Sequence, residues 1–338
     1  MEKQLQLPLK VSIADITLRD GIQAEQHVIP TEAKLFMING LLDAGFKELE
    51  VTAFAPPKYQ PQFRDWEEVL MQLPDRQDVV YSCVTTSRKA TQRAFAAREK
   101  GLRVDRILVG ITPGGERLTK TVSGMSYQEA WVWIEETVKM AHRMGIKVNA
   151  FITGVFGPIT EEGIDPLEQG LEFVNRLLDI GVDDIEHPDH LGEATPDKVF
   201  KYFIRVLEKH PDPRLHIFHV HDARHMGIAC YLAALLAGVT RFETTMGGLG
   251  GFPASFVDGV PVGGLKWITE VSRHPGLVCT EDFLVMLDGM GIETGLNVDK
   301  VLNLSRFIET IVGRNLWAAS PGPGRVPKRP VDLKTEKI

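Results

Sequence analysis

Five segments with helical periodicity each stop at a glycine just before a β-branched run: Asp43-Ala44-Gly45, Glu99-Lys100-Gly101, Arg143-Met144-Gly145, Asp179-Ile180-Gly181 and Leu236-Ala237-Gly238. Glycine accepts the left-handed backbone of a helix C-cap, so the repeated stop predicts helix-to-strand turns. The runs around these turns supply strand candidates at Val11–Ile16, Glu48–Phe54, Asp78–Val84, Asp105–Ile111, Lys147–Thr153, Val182–His187, Leu215–Val220 and Val239–Thr245. Strands alternating with helices build βαβ units and a parallel sheet. Eight units favour a closed barrel over an open doubly wound sheet, and no Gly-x-Gly-x-x-Gly fingerprint follows the first strand. The expected fold is therefore α/β, a (βα)8 TIM barrel with a C-terminal helical extension. A chain of 338 residues holds a barrel of ~250 and more. We place the catalytic barrel at 1–290, with a long loop from Met246 to Cys279 after strand eight. The extension takes 291–338. Helical stretches are expected at Thr280–Met290 and Val298–Val312, and the Pro/Gly/basic tail Ser320–Ile338 is expected to be extended or disordered.

Composition removes several function classes. No apolar run approaches the ~20 residues that a membrane helix needs, so no membrane role is expected. The opening Met1-Glu2-Lys3-Gln4-Leu5 lacks the apolar stretch of a secretory signal, which makes the cytoplasm the expected location. Cys83, Cys230 and Cys279 fit neither a disulfide framework nor a paired-cysteine zinc site. A net charge of −7 argues against a nucleic-acid partner.

The chemistry is expected where strands end. In His219-Val220-His221-Asp222 the two imidazoles are two residues apart, and a strand puts such residues on one face. Asp20 ends the first strand segment as His219 and His221 end the seventh, so barrel closure brings all three to one rim, where such barrels build their sites. Two imidazoles and a carboxylate suit a divalent cation, Mg2+ or Mn2+ in the first place, with Zn2+ open. The bland alternative packs His219 in the core and bonds His221 to a loop. The run Gly247-Gly248-Leu249-Gly250-Gly251 either offers N–H groups to an anion or is a plain turn. Glu186-His187-Pro188-Asp189-His190 places two more histidines at the rim of strand six, and His225 follows the metal motif.

Five stretches in order along the chain carry a family resemblance: Thr17-Leu18-Arg19-Asp20-Gly21-Ile22-Gln23-Ala24-Glu25; Leu49-Glu50-Val51-Thr52-Ala53-Phe54 with Pro57-Lys58; Asp189-His190-Leu191-Gly192-Glu193-Ala194-Thr195-Pro196; His219-Val220-His221-Asp222; and Gly248-Leu249-Gly250-Gly251-Phe252-Pro253. The chain resembles the metal-dependent TIM-barrel carbon–carbon lyases and synthases, and among them the 3-hydroxy-3-methylglutaryl-CoA lyases. The resemblance implies Asp20, His219 and His221 as metal ligands and Arg19 as the cation beside the reacting carbonyl or enolate. It implies Gln23, Glu50 and Asp189 as polar pocket groups, the last two being catalytic candidates that also have bland readings as caps or partners of Arg. Gly248, Gly250 and Phe252 are expected on the substrate side. A homodimer or larger homo-oligomer is implied, and a small-molecule substrate, among which a CoA thioester.

Two positions depart from the family pattern. Phe252 stands where the lyases carry a catalytic cysteine, and Leu277 where they supply an asparagine ligand to the metal. Asp258 or water is left to complete the metal shell, and His190, beside Asp189, is the first substitute for the missing acid, with a surface or capping role as its alternative. The expected function is metal-dependent carbon–carbon cleavage, retro-aldol or retro-Claisen, of a hydroxy acid or its CoA thioester. A condensing synthase or a 2-oxo acid aldolase is the alternative within the same class. Outside it stand an Fe(II) oxygenase and a barrel that binds an acyl ligand without cleaving it, a reading that Arg19 argues against.

Overall fold

The computed structural model describes residues 7–157, 160–254, 256–261 and 276–327. Eight parallel strands, β1 (Ser12–Asp15), β2 (Glu48–Ala53), β3 (Val80–Val84), β4 (Arg106–Ile111), β5 (Lys147–Ile152), β6 (Asp184–Asp189), β7 (His216–Val220) and β8 (Arg241–Thr244), close into a barrel. Closure is made by β1 against β8, in register from Ser12 opposite Arg241 to Asp15 opposite Thr244. The five glycines that end the expected helices all have φ between 68° and 108°, the left-handed region that made them legible as stops.

Helices α1 (Thr31–Ala44), α2 (Trp66–Met71), α3 (Arg88–Glu99), α4 (Glu116–Ser123), α5 (Tyr127–Arg143), α6 (Pro166–Ile180), α7 (Pro196–Lys209) and α8 (Gly227–Ala237) lie between the strands. Their apolar faces meet the outward side chains of the sheet, as where Tyr202 and Phe203 of α7 pack edge-on to His187 of β6. Two further helices, Thr280–Met290 and Val298–Val312, occur at the expected residues. The second rests on α1, where Gly40 makes room: a Cβ there would lie 2.6 Å from Leu304 Cδ1.

The floor of the barrel is charged. Glu48, Arg106, Asp184 and Arg241, one from each even-numbered strand, form a closed ring with contacts of 2.7, 3.2, 2.9 and 2.7 Å. Alternate strands commonly supply the four side chains of one barrel layer, usually branched apolar ones. Here two cations and two anions fill that layer and compensate one another.

The tail expectation is corrected in part. Asp282 accepts the backbone N–H of Ser320 at 2.7 Å, and Arg325 pairs with Asp288 at 2.9 Å, so the segment 320–327 is fastened to the helix Thr280–Met290. Residues 328–338, like 262–275 of the long loop, lie outside the described residues.

Candidate functional site

β1 ends at Asp15, whose buried carboxylate accepts both the N–H and the hydroxyl of Thr17 at 2.9 Å. The chain then makes one wide turn over Thr17–Gly21, in which the N–H groups of Gly21 and Ile22 reach back five residues, to Ile16 O and Thr17 O. Such widened turns are rare and cluster at functional sites. This one presents Arg19 and Asp20 to the C-terminal mouth of the barrel.

Arg19 binds two carboxylates there. Its Nη1 donates to Asp20 Oδ2, and its Nε lies 2.9 Å from Glu50 Oε1. Gln23 Nε2 donates to Asp20 Oδ2 at 3.0 Å and to Gly251 O at 2.6 Å, tying the turn to the glycine loop. Burial works against an ionised Asp20, but Arg19, His221 and His219 outweigh it and hold the carboxyl below its ordinary value. Glu50 behaves oppositely: burial dominates, Arg19 offsets only part of it, and the neighbouring Glu243, Glu186 and Asp20 help push the carboxyl up to about 8.

Three imidazoles stand opposite. His219 and His221 stack with ring centroids 5.1 Å apart and planes 17° apart, and His190 meets both nearly edge-on at 5.4 Å. His219 Nδ1 lies 3.0 Å from both Glu186 Oε1 and Glu243 Oε2, which fixes the proton on Nδ1 and aims Nε2 at the mouth. Burial alone would lower this imidazole, yet the two carboxylates raise it to about 10. His190 shares a 2.6 Å hydrogen bond between Nδ1 and Thr153 Oγ1. Burial, with His221, His219 and Arg19 nearby, drives its pKa well below the ordinary imidazole value, so the ring is neutral and is no ready-made acid.

The residues fit a cation. Asp20 Oδ1 lies 3.7 Å from His221 Nε2, and both Asp20 Oδ1 and His219 Nε2 are buried without a hydrogen-bond partner among the described residues. Leaving such polar atoms buried and unsatisfied is costly, and a metal ion, taking the place of the proton on Nε2, would satisfy both. Asp20, His219 and His221 are the ligands this arrangement offers first.

Beside this cluster opens a cavity of about 310 Å³. Its lining interleaves Arg19, Asp20, Gln23, His190 and His221 with apolar groups that include Trp133, Phe151 and Phe252, and Phe151 packs edge-on against His190. Phe252 lies nearly parallel to His221, 19° between the planes and 6.4 Å between centroids.

Other expected residues lie elsewhere. Asp189 is buried and accepts the N–H of Ala194 at 2.7 Å, which shapes the turn carrying His190, and it is outside the cavity lining. Gly248 and Gly250 are also outside the lining; a Cβ at Gly250 would sit 2.8 Å from Leu277 Cδ1 and 3.2 Å from Asp20 Oδ1. The glycine run does meet a carboxylate, but one of the protein's own, for Gly247 N donates to Glu281 Oε1 and Oε2 at 2.9 and 2.8 Å. His187 points outward to Tyr202 and His216 instead of to the rim. His225 and Asp258 are exposed.

Three acidic residues that sequence reasoning passed over belong to the site. Glu186 and Glu243 carry His219, and the polar/apolar alternation of Arg241-Phe242-Glu243-Thr244 was the available signal for Glu243. Glu193 lines the cavity, its carboxyl raised by burial and by Asp189.

The HMGL-like family model matches residues 10–308. Bovine mitochondrial hydroxymethylglutaryl-CoA lyase is 31% identical over 301 residues, 89% of this chain and 85% of the relative. The human cytoplasmic 3-hydroxy-3-methylglutaryl-CoA lyase is 30% identical, over 89% of this chain and 75% of its own length. Among solved structures, an HMG-CoA lyase from Acinetobacter baumannii in complex with coenzyme A and 3-methylmalate superposes with a TM-score of 0.80 at 26% identity, covering 96% of this chain and 98% of that one.

Proposed function

The chain belongs to the HMGL-like family and is a carbon–carbon lyase, and from that premise we propose that it cleaves the CoA thioester of a hydroxy acid whose acyl group is shaped by Phe252. The single observation that carries this reading is the mixed cavity, in which Arg19, Asp20 and the imidazoles of His190 and His221 share one space with aromatic and aliphatic walls. A coenzyme A complex of a related lyase supports the thioester.

In the cleavage the hydroxyl loses its proton, the oxygen electron pair becomes a carbonyl, and the electrons of the breaking carbon–carbon bond pass into the thioester enolate. A proton then returns to the enolate carbon. The family is metal-dependent, and a divalent cation held by Asp20, His219 and His221 would acidify the substrate hydroxyl. Arg19, fixed between Asp20 and Glu50, holds a permanent positive charge where the enolate oxygen develops. The Glu186 and Glu243 carboxylates keep the proton of His219 on Nδ1. Phe252 can neither give nor take a proton, so it shields the reacting bond from water. Glu193 is the protonatable group on the cavity wall that serves in place of the family cysteine. The free thiols of Cys83, Cys230 and Cys279 suit a reducing compartment such as the cytoplasm.

The test is a mass-spectrometric screen of CoA thioesters and the matching free hydroxy acids with added divalent metal. Cleavage of a thioester into an oxo product and a shorter acyl-CoA is expected. Turnover of the free acids alone would replace the reading with an aldolase, and oxygen consumption with substrate would replace it with an oxygenase.

A further inference from the structure

We propose that His190 is a third imidazole ligand of the metal centre, and that the resulting set of three nitrogens and the Asp20 carboxylate selects a transition metal such as Zn2+ or Co2+ over Mg2+. The inference rests on the metal-site reading above and goes beyond it in both ligand and metal.

The geometry is the first ground. One ring nitrogen from each of His190, His219 and His221 lies within 4.8 Å of those of the other two, and the ring centroids form a near-equilateral triangle of 5.1, 5.4 and 5.4 Å. Zn–N bonds of ~2.0–2.1 Å require the nitrogens to close in, which small side-chain rotations achieve. His190 is not a free surface side chain. Thr153 Oγ1 holds its Nδ1 at 2.6 Å, leaving Nε2 as the ligating atom, and Phe151 packs edge-on against it at 6.3 Å. Outer partners of this kind fix the ring orientation of metal-bound histidines.

The second ground is what stands across the site. Leu277 pairs with His221 through the backbone and places Cδ1 2.8 Å from the Cβ position of Gly250, which is itself 3.2 Å from Asp20 Oδ1, at the position where the resemblance implies an asparagine oxygen. An aliphatic group there cannot ligate, and Mg2+ prefers an all-oxygen octahedron that keeps several waters. Imidazole nitrogens suit Zn2+, Co2+ and Fe2+, so exchanging an oxygen donor for His190 moves the site's preference along the Irving–Williams order. The oxygen on one side is lost and a nitrogen on the other is gained.

The experiment is metal titration of the chelator-treated protein: Co2+ by its visible absorption, Zn2+ by competition with a chromophoric chelator, Mg2+ by calorimetry. Wild type, His190→Ala, Thr153→Val and His219→Ala are compared, with far-ultraviolet circular dichroism of each apo variant as the folding control. His190→Ala is expected to weaken Zn2+ and Co2+ by ~10²-fold and to alter the Co2+ spectrum while leaving Mg2+ affinity within about twofold; Thr153→Val should cost ~10-fold. Unchanged Co2+ spectrum and Zn2+ affinity in His190→Ala, beside lost binding in His219→Ala, overturn the third ligand alone. Unchanged binding in His219→Ala overturns the underlying metal site. Should His190→Ala fail to fold, Thr153→Val decides, because it leaves the imidazole in place and removes only its anchor.

Discussion

Leu277 and His221 face each other across an antiparallel backbone bridge, so the residue that the resemblance sets at the asparagine position is a direct neighbour of a proposed metal ligand. The bridge makes the first prediction specific. Leu277→Asn restores an amide oxygen beside Asp20 and should tighten Mg2+ and Mn2+ binding by about tenfold, roughly the 1.4 kcal/mol of one modest ligand contact. Because Leu277 is almost wholly buried, the metal-free variant should also lose roughly 1–3 kcal/mol of stability. Calorimetric titration and denaturant melts read the two effects separately.

In the proposed cleavage Arg19 acts on charge that exists only as the bond breaks. Arg19→Met should lower kcat by ~10²-fold or more with a smaller change in KM. Arg19→Lys should recover little, because a single ammonium cannot reach both Asp20 and Glu50 in the geometry of the Nε and Nη1 contacts. A steady-state comparison checks both, and a KM effect at normal kcat would reduce Arg19 to a binding group.

For Glu193 the expected signature is in the pH profile. Burial and Asp189 raise its carboxyl, and an acid must be protonated to act, so kcat should fall as pH rises through that value. Glu193→Gln should lose ~10²-fold in kcat and the alkaline fall with it. Retention of that limb in the variant would assign it to another group.

Glu281 gives a stability prediction. Burial is the largest cause that lifts its carboxyl to about 7, with hydrogen bonds from Ser305 and Gly247 opposing. A carboxyl raised on folding binds its proton more tightly in the folded state than in the unfolded chain. The protein therefore loses stability as pH climbs from about 4.3, the unfolded value, through about 7, and no more above that. Glu281→Gln should remove this slope, making the variant's stability relative to wild type better at pH 8 than at pH 5 by roughly 2–4 kcal/mol. Chemical denaturation at the two pH values decides it.

Much of the molecule was written in local signals. Strand and helix positions followed from glycine stops and β-branched runs, and the paired spacing of His219 and His221 put both rings at the mouth. The barrel interior was less legible, because a buried strand is expected to be apolar, and Glu48 meets Arg106, and Glu186 and Glu243 meet His219, only after closure. His187 and His190 looked equivalent in sequence. Strand alternation turned His187 outward, whereas the chain leaves the strand at Asp189 and swings His190 in. The anion at the glycine run could not be foreseen either, since Glu281 lies 34 residues further on.

The segment after the helix Val298–Val312 reaches back to the glycine loop: Trp317 N donates to Gly247 O at 2.9 Å, Leu316 fills the space beside Gly247, and Arg314 grips Glu25 next to the Arg19–Asp20 turn. Translation delivers that segment after every barrel strand. A nascent chain can thus wind all eight strands and still lack this strap across its glycine loop until residues 314–317 have cleared the ribosome, which makes fastening of that loop a later event than closure of the sheet.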